Sequence, residues 1–75
     1  MKSLTLQIQI ASLPDRKNTV SEIWLGDNQV AEVSNESYGT TLIEIFPAPE
    51  GGVWSFDLEA FQAILTEAKG NLRKE

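Results

Sequence analysis

With no histidine and no cysteine in the chain, carboxylates are the groups left to carry acid–base or nucleophilic chemistry. That excludes Ser-His-Asp and Cys-His arrangements, thiolate zinc sites and disulfides together. Glu22, Glu32 and Glu44 fall in segments that read as strands, so neighbouring strands can bring them near one another. A carboxylate pair works as a glycosidase dyad only across a cleft, with one member held protonated. On an open sheet the three read as solvated charges, and a chain of this size has little depth for a pocket. The sequence therefore predicts no enzyme. Calcium needs about 6–8 oxygen ligands, and Asp27-Asn28 sits in a short turn without EF-hand spacing. Gly51-Gly52 lead into Val53-Trp54 with no following lysine, which makes them a turn and not a phosphate loop. No cofactor or metal is expected.

Trp24, Tyr38 and Trp54 are the residues suited to stacking on nucleobases, but that mode also needs a cationic groove. The charges lie the other way. Net charge is −5, and the basic residues are Lys2, Arg16, Lys17, Lys69, Arg73 and Lys74. Between Asn18 and Glu67 there is no lysine or arginine, while Glu22, Asp27, Glu32, Glu36, Glu44, Glu50, Asp57, Glu59 and Glu67 all fall there. Such a segment repels phosphate, so direct nucleic-acid binding is not expected. A basic protein partner suits it, and a merely solubilising acidic surface is the plainer reading. Trp54 and Phe56 are expected in the core beneath a helix.

The elements that must position these groups follow from periodicity. Leu4, Leu6, Ile8 and Ile10 alternate with Ser3, Thr5, Gln7 and Gln9, the period-2 mark of a half-buried strand. Pro14 to Asn18 reads as a loop. Thr19–Leu25 and Gln29–Val33 read as two strands of a hairpin about Gly26-Asp27-Asn28. A three-residue turn sets Ile23 opposite Ala31 and Glu22 opposite Glu32, and is the favoured register because it gathers Ile23, Leu25, Ala31 and Val33 on one face. A two-residue turn instead moves Trp24 to the core side. Thr40–Phe46 makes a fourth strand, closed by Pro47-Ala48-Pro49 and the paired glycines, and Val53–Phe56 a short fifth at the edge. Asp57 caps a helix, with Phe56 and Phe61 placed as a hydrophobic staple. Its apolar stripe is Leu58, Phe61, Ile64, Leu65, Ala68 and Leu72, and Gly70 weakens its last turns.

The fold class predicted is α+β: an antiparallel sheet of four to five strands in meander order with one C-terminal helix packed on one face. Residues 1–75 form a single domain in this reading, with a thin core. The N-terminus alternates instead of offering the continuous apolar run of an export signal, and no stretch approaches the roughly 20 apolar residues of a membrane span. A cytoplasmic protein without membrane contact is expected. One sheet face offers Leu4, Leu6, Ile8, Ile10, Ile23, Leu25, Ala31, Val33, Ile43 and Ile45 to the helix. The other then carries Trp24, Val30, Leu42 and Phe46 among Glu22, Glu32 and Glu44, more large apolar groups than a solvated face normally holds. One helix covers one face only. The seven residues of the second face are the predicted protein-binding surface, for a basic partner or, alternatively, for a second copy in a structural homodimer.

Overall fold

The structure is a computed structural model that describes residues 5–14, 18–35 and 40–72; Leu4, Tyr38, Arg73 and Lys74 lie outside these. Four strands follow in chain order: β1 (Leu6–Ala11), β2 (Val20–Leu25), β3 (Asn28–Ser34) and β4 (Leu42–Ile45). A 3-10 turn (Pro49–Gly51) and the helix α1 (Leu58–Gly70) complete the order. The strands form one antiparallel sheet in the order β1-β2-β3-β4, the predicted meander. No fifth strand forms at Val53–Phe56, because its aromatics are used differently. The Trp54 indole donates to the Phe46 carbonyl at 2.7 Å, and Trp54 and Phe56 stack at 5.7 Å between ring centroids. Phe56 in turn stacks on Phe61 at 5.0 Å, so the predicted staple is a ring-on-ring contact.

The hairpin between β2 and β3 combines both alternatives left open by its sequence. Leu25 pairs with Asn28 across a two-residue turn, Gly26-Asp27, and Gly26 takes φ 61°, the left-handed value that the first position of a II′ turn needs. One extra residue, Val30, then enters β3 as a bulge, and beyond it Ile23 lies opposite Ala31 and Glu22 opposite Glu32. The predicted pairing is therefore reached by a shorter turn plus a bulge, and Trp24 stays on the face away from the helix.

The core lies between α1 and the first three strands. Ile23, Val30, Ala31 and Val33 meet Ile64, Ala68 and Leu72, with Leu6, Ile8, Leu25, Trp54, Phe56, Phe61 and Leu65 around them. Asp57 caps the helix, its Oδ2 accepting from the Ala60 N–H at 2.9 Å. At the other end the helix runs to Gly70 with Asn71 as its cap. The Ala68 carbonyl, in the last turn, accepts from the buried Ser21 hydroxyl at 2.8 Å. Two small residues, Ser21 and Ala68, let helix and sheet approach closely there, and the hydroxyl satisfies a carbonyl of the kind that helix ends leave open. Leu58 was expected in the stripe but stands exposed at the first helical position.

The helix does not reach the whole sheet. It packs on β1, β2 and β3, while every residue of β4 is exposed. The reason is width: a helix is about 10–12 Å across, whereas four strands spaced at about 4.8 Å span roughly 14 Å between their outer axes. Ile43 and Ile45 were expected under the helix; they are paired with Val33 and Ala31 but project beyond the cover.

Candidate functional site

Alternation along β2 and β4 puts Glu22 and Trp24, and Leu42 and Glu44, on the face opposite α1. The pairings make a cross-strand row on that face: Gln9 beside Glu22, Glu22 beside Glu32, Glu32 beside Glu44. The structure thus brings together the three glutamates singled out by sequence. Like charges directly opposite one another disfavour a sheet unless other groups compensate them. The Trp24 indole donates to the Glu22 carboxylate at 3.1 Å, which fixes one end of the row and leaves the ring half-buried. Glu32 in the middle is only 7% exposed, and Glu44, on β4, is exposed.

The remaining predicted contacts divide. Leu42 is 42% exposed and lies on the acidic face. Phe46 is half-buried at the end of β4. Val30 is 0% exposed and belongs to the helix-side core, because the bulge turns it inward. It is thus not part of an accessible surface. The outer face is also closed around Val20 and Ser34, both buried, so its openness increases towards β4.

What sequence reasoning missed is that β4 is open on both sides. Ile43 is 44% and Ile45 60% exposed on the helix side, with Leu42 exposed on the other. Among the described residues, no strand pairs with its outer backbone edge. The Phe46 N–H donates to the Val30 carbonyl at 2.9 Å, just past the Ile45–Ala31 pair. In an antiparallel ladder this fixes the alternation: Leu42 and Glu44 turn their N–H and C=O groups towards β3, and Ile43 and Ile45 turn theirs outward. No lysine, proline or bulge interrupts Leu42–Ile45 to blunt that edge.

Two shallow depressions lie elsewhere. One is lined by Gln7, Gln9, Trp24, Gly26 and Asp27 beside the hairpin turn. The other opens between β1 and α1, with Leu6, Leu25, Phe56 and Ile64 among its walls. Neither of these two depressions is lined by Glu22, Glu32 or Glu44. Among the described residues no three carboxylates converge to hold a metal ion, and no helix is long and apolar enough to cross a membrane.

Comparison with models of protein families, with curated proteins and with solved structures finds no match to this chain.

Proposed function

We propose that this protein is a small binding module without catalytic activity, which offers the edge strand β4, where the acidic row ends, to a basic protein partner. The observation that carries the reading is the gathering of exposed Leu42, Ile43 and Ile45 on one four-residue strand. Large apolar side chains scattered singly over a surface need no explanation, but three consecutive to near-consecutive ones on an uncovered strand favour a contact site. The adjoining glutamate row selects for positive charge and speeds encounter, while the apolar side chains supply desolvation energy. Trp24, held by Glu22, serves this surface as a rigid flank and less as a freely inserting anchor. The alternative, a structural homodimer built on the same face, would set acidic surface against acidic surface, which weakens it.

Photo-crosslinking tests this directly. A photoreactive residue in place of Leu42 is expected to trap a discrete protein adduct that is absent with the same group at Thr66, on the exposed side of α1. Adding Glu44→Lys should suppress the adduct. Equal labelling from both positions, or labelling indifferent to Glu44→Lys, would contradict the reading.

A further inference from the structure

Resting on the reading of β4 as the contact strand, the geometry points to how the partner binds: we infer that an extended segment of the partner adds to the sheet as an antiparallel strand along β4. A lysine or arginine lies opposite Glu44 in this complex, and apolar residues lie opposite Ile43 and Ile45. Three observations converge on it. The outward N–H and C=O groups of Ile43 and Ile45 are a ladder template that an added strand satisfies with backbone alone. The Ile43 and Ile45 side chains, exposed beyond the reach of α1, form half of an apolar row that such a strand completes. The charge row Glu22–Glu32–Glu44 runs across the sheet and stops at this edge.

Ladder alternation makes the charge requirement sharp. Glu44 bonds towards β3, so a residue opposite it on an added strand falls in a non-hydrogen-bonded pair, where Cα atoms approach to about 4.5 Å and side chains lie closest. A cation there meets Glu44 with Glu32 and Glu22 behind it; an anion there extends a like-charge row from three to four strands. A second copy of this chain fits worse. Two β4 strands centred on Glu44 would oppose Glu44 to itself, and centred on Ile43 they would oppose Glu44 to Leu42. Neither arrangement supplies a cation, and residues 18–67 contain none.

The test uses a fluorescent peptide of about seven residues with a central Val-Lys-Val, beside a twin carrying glutamate in place of lysine. The full chain should bind the lysine peptide at least roughly fivefold more tightly than its twin, and Glu44→Lys should reverse the order. Ile43→Pro removes an outward donor without touching the bonds to β3, a position where an edge strand tolerates proline. It should leave the circular dichroism spectrum unchanged and abolish binding of both peptides. Should that variant fail to fold, the charge reversal by Glu44→Lys decides alone. Equal affinity for the two peptides overturns the inference. Absence of peptide binding, with the crosslink from position 42 retained, overturns strand addition and leaves the binding-module reading standing. A dimer in light scattering that Ile43→Pro dissolves also overturns it, since the occupant would then be a second copy.

Discussion

Ser21 shows how one small polar residue sets the distance between the two layers. Its hydroxyl is fully buried and its bond to the Ala68 carbonyl spans from the middle of the sheet to the last turn of α1. Ser21→Ala removes the donor and leaves that carbonyl without it in the core. The expected cost is about 1 kcal/mol, a fall in Tm of roughly 4–8 °C for a chain of this length, measured by thermal unfolding. A change below about 1 °C would mean that the bond contributes nothing. Trp24 teaches a different lesson at this scale. Its exposure was expected from the register, but its bond to Glu22 turns the indole into a fixed part of the acidic row.

The elements differ in how much of their structure was legible in the sequence. Period-2 alternation in Leu6–Ala11 and the Asp57 cap with Phe56 and Phe61 gave β1 and the start of α1 directly, because each depends on neighbours in the chain. The β2–β3 hairpin was legible in pairing but not in mechanism. Gly26-Asp27-Asn28 suits a turn of two or three residues, and a bulge at Val30 has no local signature when the residue is an ordinary β-branched one. Val30 was accordingly assigned to the wrong face. The Glu22–Glu32 pairing is legible in the favoured register, whereas the Glu32–Glu44 pairing and the bareness of β4 are not, because a strand's composition does not tell its register with a neighbour or how far a helix extends over it. The two isoleucine environments give a test at the scale of elements. Ile64→Ala, on the core side of α1, should cost roughly 2–4 kcal/mol, and Ile45→Ala on β4 less than about 1 kcal/mol. Denaturant unfolding of both variants checks the contrast; equal losses would place Ile45 in the core.

At the scale of the molecule, one helix and four strands cannot cover each other completely. The helix closes the core over β1 to β3, and the uncovered margin coincides with the end of the glutamate row. That coincidence is what ties the fold to the proposed function: the strand left over by packing is the one proposed to bind. Among the described residues it is held by pairing with β3 and, just past its end, by the Trp54 indole on the Phe46 carbonyl, so a second partner can be added without repacking the core. The most direct measurement is amide hydrogen exchange along β4 in the free protein, read by NMR. Open-edge geometry predicts protected amides at Glu44 and Phe46 and fast exchange at Ile43 and Ile45. Protection of Ile43 and Ile45 equal to that of their neighbours would contradict it, because their outward groups would then already have partners and β4 would not be an edge open to binding.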